Sequence, residues 1–175
     1  YIGMDHFALP GDDLARAQAR GDLHRNFMGY TTHANCDLVG LGVSAISHIG
    51  ATYSQNPREL PAWESAIDEG RLPVWRGLRL DADDLLRADV IQRLICQGEV
   101  DMRAVEDRHG IDFETYFSPD LARLGELAAD GLVEVDQGLI RATSRGRLLL
   151  RIICACFDRY LQQPARVPAR YSRAV

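Results

Sequence analysis

The residues of this chain that could do chemistry are five histidines, four cysteines, and an apolar run broken by glycine. The run Gly40-Leu41-Gly42-Val43-Ser44-Ala45 fits the outline G-x-G-x-x-A. That outline cradles a dinucleotide pyrophosphate when a helix follows it and an acidic residue stands about 20 positions on. Here the apolar residues continue through Ile46-Ser47-His48-Ile49 to Gly50, and Tyr53-Ser54-Gln55-Asn56-Pro57 is a turn. The dinucleotide reading is therefore rejected. A phosphate-cradling G-x-x-x-x-G-K-S/T sequence is also missing. The run reads instead as a buried strand formed by Val39, Leu41, Val43, Ala45 and Ile46, with Gly40 and Gly42 inside it. Glycine inside a strand marks a bulge or a close backbone approach. Either a cofactor lies against the strand, or a neighbouring strand packs close to it.

His6, His24, His33, His48 and His109 are scattered, and none forms H-E-x-x-H. Asp5-His6 could be an acid/base pair at a strand end, or an oriented polar pair. A G-x-S-x-G elbow is lacking, and Ser44 and Ser47 belong to the apolar run, where a serine bonds backbone more often than it attacks a carbonyl. Cys36, Cys96, Cys154 and Cys156 contain no C-x-x-C, which argues against a structural zinc site. On a helix, Cys154 and Cys156 stand about 200° apart and face opposite ways. They read as reduced, buried thiols of a cytoplasmic protein. Arg166, Arg170 and Arg173 near the C-terminus could clasp carboxylates bidentately or form a solvated basic tail.

The elements that must position these groups fall into two parts. Over residues 1–80 strands and helices mix: a strand at 1–8, a short helix at 14–20, a strand at 27–32, the glycine-bearing strand, a helix to Glu69, and an extended piece at 73–80. Polar residues at strand ends make this part look like the end of an α/β barrel. From Asp81 the pattern is helical. Asp81 caps a helix with the stripe Leu86, Val90, Ile91, Leu94 and Ile95. Further helices are expected near 103–108 and from Ser118-Pro119 onward. A hairpin follows across Asp136-Gln137-Gly138. Ser144 is expected to cap a last long helix carrying Leu148, Leu149, Ile152, Ile153, Cys156, Phe157, Tyr160 and Leu161.

This order is that of a winged-helix module. Its candidate recognition helix carries Asp120, Arg123, Glu126 and Asp130, a net negative set that repels phosphates. The module at 81–163 therefore reads as a packing domain, followed by an extended tail at 164–175. The whole is an α+β protein. The alternative is a stand-alone winged-helix interaction or DNA-binding module.

With 46% hydrophobic and 26% charged residues, the composition is that of a globular chain. The net charge of −5 speaks against nucleic-acid binding. No apolar run approaches the roughly 18 residues of a membrane span. The start at Tyr1, inside an apolar run, suggests a piece of a larger fold.

The segments Tyr1–Ala8, Leu23–Phe27, Gly29–Thr32 and Gly40–Ser47 resemble the bacterial oxygen-independent coproporphyrinogen III oxidases. So do Trp75-Arg76-Gly77, Gly131-Leu132-Val133, Gly146–Leu149 and Cys154–Leu161. The resemblance covers the whole chain. It implies a radical S-adenosylmethionine enzyme of haem biosynthesis, monomeric, which converts coproporphyrinogen III to protoporphyrinogen IX by oxidative decarboxylation of two propionates. It also implies a 4Fe–4S cluster on a C-x-x-x-C-x-x-C loop early in the barrel, a motif this sequence lacks. By itself the chain is expected to bind no cofactor, to be inactive, and to self-associate through exposed strand edges.

One family site carries over: Ile46, on the G-V-S-A-I-S segment, corresponds to the isoleucine that contacts S-adenosylmethionine. Met28 departs from the family, which has glutamine there. Four propionates on the substrate point to Arg25 and the tail arginines as carboxylate ligands.

Overall fold

The computed structural model describes residues 1–34 and 36–162. Arg166, Arg170 and Arg173 lie outside the described residues. The architecture is α+β, with three small antiparallel sheets among the described residues.

Helix α1 (Asp13–Arg20) starts where the Asp12 carboxylate accepts from the Leu14 N–H. Strands β1 (His24–Asn26) and β2 (Gly29–Thr31) form a hairpin with Phe27 and Met28 at its turn. Strands β3 (Ile46–Ile49), β4 (Thr52–Gln55) and β5 (Arg76–Arg79) make an antiparallel meander, with helix α2 (Leu60–Asp68) between the last two. Every ladder among the described residues is antiparallel, whereas a barrel of the α/β type runs parallel.

The long helix α3 (Ala82–Gln97) opens with a capping box. Asp81 accepts from the Asp84 N–H, and the Asp84 carboxylate accepts from the Asp81 N–H. Strand β6 (Glu99–Asp101) follows, then helices α4 (Met102–His109), α5 (Phe113–Tyr116) and α6 (Ser118–Ala129). The hairpin β7 (Val133–Asp136) and β8 (Leu139–Ala142) completes a sheet of order β6-β8-β7. Leu86, Val90 and Leu94 of α3 are buried with Phe113, Phe117 and Phe157 in the main core. A smaller core fastens the N-terminal segment to the end of α3: Ile2, Ala17, Leu23 and Tyr30 close around Cys96.

Tyr53–Gln55, expected in a turn, belong to β4, and residues 27–32, expected as one strand, hold the hairpin turn and β2. Three further expectations fail. First, the apolar run is not a buried strand. Residues 39–45 form a loop, β3 begins only at Ile46, and Val39 and Leu41 are exposed. The loop is held by side-chain hydrogen bonds that periodicity cannot show. Asn56 Nδ2 donates to the Gly42 carbonyl (2.8 Å), and the Gly40 N–H donates to Ser47 Oγ (3.0 Å). Gly40 is closed in by its own loop, whereas a Cβ on Gly42 would meet nothing within 4 Å. A Cβ on Gly40 would stand 2.6 Å from the Ile46 carbonyl oxygen.

Second, residues 1–8 are not a strand but a tight turn with a single bridge, Gly3 to His6. Third, Ser144 caps nothing. A 3₁₀ turn (Gly146–Leu149) leads into a short helix α7 (Leu150–Ala155), and after a turn comes α8 (Arg159–Gln162). The expected stripe splits accordingly. Ile153, Cys156 and Phe157 are buried, while Leu148, Leu149, Ile152, Tyr160 and Leu161 are exposed.

Candidate functional site

A cavity of about 700 Å³ opens between the β1–β2 hairpin, one face of the β3–β4–β5 sheet, and helices α3 and α4. The hairpin contributes His24, Arg25 and Phe27. The sheet contributes His48 and Tyr53, which are directly opposed in the β3–β4 ladder. The helices contribute Asp89 and Gln92 from α3, and Arg108 and His109 from the end of α4. Three histidines far apart in sequence thus converge on one space.

The floor is aromatic. His48 stacks on Tyr53 with ring centroids 4.2 Å apart, and Phe27 meets Tyr53 edge-on at 5.3 Å. Burial pushes the His24 imidazole below its ordinary value, and the neighbouring His48 acts the same way. Burial likewise raises the Tyr53 phenol.

Arg25 enters from the hairpin. Its backbone is clamped to α3: the Arg25 N–H donates to Gln92 Oε1 (3.2 Å), and Gln92 Nε2 donates to the Arg25 carbonyl. The guanidinium lies over the Tyr30 ring at 5.6 Å. Its Nε is buried and donates to no group among the described residues. One turn back along α3, Asp89 accepts from His109 Nε2 (3.1 Å) and Arg93 Nε (3.2 Å). Burial disfavours the Asp89 anion, but these bonds and the charges of Arg93 and Arg108 outweigh it and hold the carboxyl below its usual range.

Ile46 is half-buried at the start of β3, opposite Gln55, which in turn faces Arg76 on β5. Side chains two residues apart in a strand share a face. Ile46 therefore lies on the face that carries His48 and Tyr53, about 7 Å further along. Met28 is exposed at the hairpin tip. Asp5 and His6 do pair, Oδ1 to Nδ1 at 2.9 Å, with the imidazole set edge-on to Tyr30 and against Gly29. His6 does not line the cavity.

Sequence reasoning singled out Arg25 and Ile46 but missed Asp89, Gln92 and Arg108. The only hint was polar residues at 89 and 92 beside the apolar stripe of α3.

The four cysteines are free; Cys96, Cys154 and Cys156 are buried, whereas Cys36, expected to be buried, is exposed. Cys154 Sγ points at the Ile91 carbonyl of α3, and Cys156 Sγ points back at the Ile152 carbonyl. Burial pushes the Cys96 and Cys154 thiols up to about 12. Among the described residues no three His, Cys, Asp or Glu side chains converge to hold a metal ion. The described residues thus do not fit an iron–sulfur cluster. No helix among them is long and apolar enough to cross a membrane.

The profile of the HemN C-terminal domain matches residues 80–149. The whole chain is 51% identical to the oxygen-independent coproporphyrinogen III oxidase of Escherichia coli (strain K12). It is 53% identical over 178 residues to that of Pseudomonas aeruginosa. It spans 38% of the length of each. A solved structure titled as coproporphyrinogen III oxidase (HemN) from Escherichia coli, a radical SAM enzyme, matches with a TM-score of 0.87 at 52% identity. That match covers 91% of this chain and 37% of the other. By sequence and by fold, the chain belongs to the family of oxygen-independent coproporphyrinogen III oxidases.

Proposed function

We propose that this chain supplies the substrate-facing part of an enzyme that oxidatively decarboxylates two propionates of coproporphyrinogen III to vinyl groups, giving protoporphyrinogen IX. The observation that carries this reading is Arg25. Arg25 lines an aromatic-floored cavity, and its Nε is a buried donor without a partner among the described residues. A buried unpaired donor is costly, and a ligand carboxylate removes the cost with a charge-assisted bond. The volume suits a ligand of drug size or larger. The apolar pyrrole rings of a tetrapyrrole match the Phe27 and Tyr53 rings, and its propionates match the arginine.

Ile46 is the residue of this chain proposed to touch S-adenosylmethionine. It offers half-buried apolar surface on the cavity face of the sheet, suited to a flat adenine. When bound, that cofactor would supply the radical chemistry by which a propionate side chain loses a hydrogen atom. What the described residues do is bind and orient: Arg25 holds a carboxylate, and the aromatic floor excludes water. The iron–sulfur cluster of the family is proposed to be held outside the described residues.

Residues 1–80 are proposed as the end of the family's barrel and 81–163 as a winged-helix-like domain. The order α3, β6, α4, α5, α6, β7, β8 supports the second assignment. A packing role for that domain, rather than DNA binding, is supported by α6. Its exposed face carries Glu126, while Arg123 is committed to Asp120 and the Cys156 carbonyl.

In the full-length enzyme, Arg25→Ala is expected to raise the apparent KM for coproporphyrinogen III roughly tenfold while kcat changes little, the pattern of lost ground-state binding. Steady-state kinetics under anaerobic conditions checks it. An unchanged KM removes Arg25 from the substrate site.

A further inference from the structure

We infer that Arg108 takes a second carboxylate of the substrate from the helical side of the cavity, so that α3 and α4 help set specificity for a polycarboxylated ligand. This rests on the cavity being the substrate site.

Asp89 has more partners than it needs. Three side chains meet it: Arg93 at 3.2 Å, His109 at 3.1 Å and Arg108 at 3.5 Å. Arg93 and His109 are close and mostly buried, and together they satisfy the carboxylate. Arg108 is the most distant and the most exposed, with 64% of its side-chain surface open. An exposed pair of that length contributes little. Arg108 can therefore turn to a ligand without leaving Asp89 uncompensated.

Position supplies the second step. Asp89 and Gln92 are three residues apart on α3 and so share a face of that helix. Gln92 clamps the backbone of Arg25, and Asp89 meets the guanidinium of Arg108. One helix thus references two arginines that line the cavity from different elements, the hairpin and α4. The Phe27 and Tyr53 rings line the same space. The arrangement fits an apolar macrocycle carrying carboxylates on more than one edge. A monocarboxylate would leave one guanidinium unused.

The test is fluorescence titration of the full-length protein with coproporphyrin III, which has four propionates, and mesoporphyrin IX, which has two. Arg108→Gln is expected to weaken coproporphyrin III binding roughly tenfold and to erase the preference for it over mesoporphyrin. Arg108→Lys should restore part of the affinity, since it keeps the charge and loses the bidentate fork. Arg103→Gln, an exposed arginine on the same helix outside the cavity lining, should change neither. If Arg108→Gln binds both porphyrins as the parent does, or if Arg103→Gln weakens binding equally, the inference is overturned while the site reading stands. If the unaltered protein binds neither porphyrin, the site reading fails and takes this inference with it.

Discussion

Asp120→Ala is expected to lower the unfolding free energy by about 3 kcal/mol, the cost of breaking a buried ion pair from one side. For a chain of this size that is a fall in Tm of roughly 6–12 °C. Asp120 lies in the first turn of α6 and is 2% exposed. It accepts from Arg87 Nη1 (3.0 Å) on α3 and from Arg123 Nη2 (2.8 Å) one turn along its own helix. The same guanidiniums donate to the Phe157 and Cys156 carbonyls, where the chain leaves α7. One carboxylate therefore joins three segments: α3, α6 and the C-terminal turn.

Alanine would leave two mostly buried cations facing each other. Arg87 would keep Asp83 at 2.9 Å, so the loss falls toward the lower end of the range for buried pairs. Asp120→Asn, which keeps an acceptor oxygen but not the charge, should lose less. Urea unfolding followed by circular dichroism decides it. A loss below about 1 kcal/mol for Asp120→Ala would mean that the cluster is no more than a surface pair. A double-mutant cycle with Arg87→Met then isolates the coupling of the pair itself.

What could be read in advance, and what could not, divides along a physical line. Helix α3 was legible because its start and its buried face are both local signals. Asp81 and Asp84 form the capping box, and Leu86, Val90 and Leu94 recur at helical spacing. The β7–β8 hairpin was legible for the same reason, since Gln137 and Gly138 both adopt positive φ at its turn. The run at 39–46 misled because apolar composition was taken for burial. Its loop is fixed by Asn56 and Ser47, which reach carbonyls and amides distant in sequence, and hydrophobic pattern carries no trace of such bonds.

The last helix misled because its apolar residues suit a continuous stripe. Its first turn is instead held by Thr143, whose hydroxyl accepts from the Gly146 N–H and donates to the Gly131 carbonyl. The cavity was half legible. Arg25 and Ile46 were found through resemblance, but the convergence of His24, His48 and His109 depends on how the hairpin, the meander and α4 dock around α3. A lone histidine in sequence says nothing about that docking.

Gly146→Ala is expected to destabilise the protein by about 3 kcal/mol or more, against the usual sign of a glycine-to-alanine change in a helical turn. Gly146 is buried where the 3₁₀ turn crosses the end of strand β7. A Cβ there would collide with the Leu132 carbonyl and press on Ile153 Cδ1 at 3.2 Å. Neither neighbour can yield cheaply. The Leu132 carbonyl accepts from the Thr143 N–H (3.0 Å), which closes the hairpin, and Ile153 is fully buried in the main core.

The turn would have to lift away, carrying Leu150 and Ile153 with it, or the hairpin would have to open. Gly125 supplies the matched control. It lies in α6, and a Cβ there meets nothing within 4 Å. Gly125→Ala should stabilise by roughly 0.5–1 kcal/mol through helix propensity alone. Thermal melts of the two variants should therefore move in opposite directions. If both rise, the contact between the turn and Leu132 is loose enough to accept a methyl group, and the packing of α7 against the hairpin does not depend on glycine at position 146.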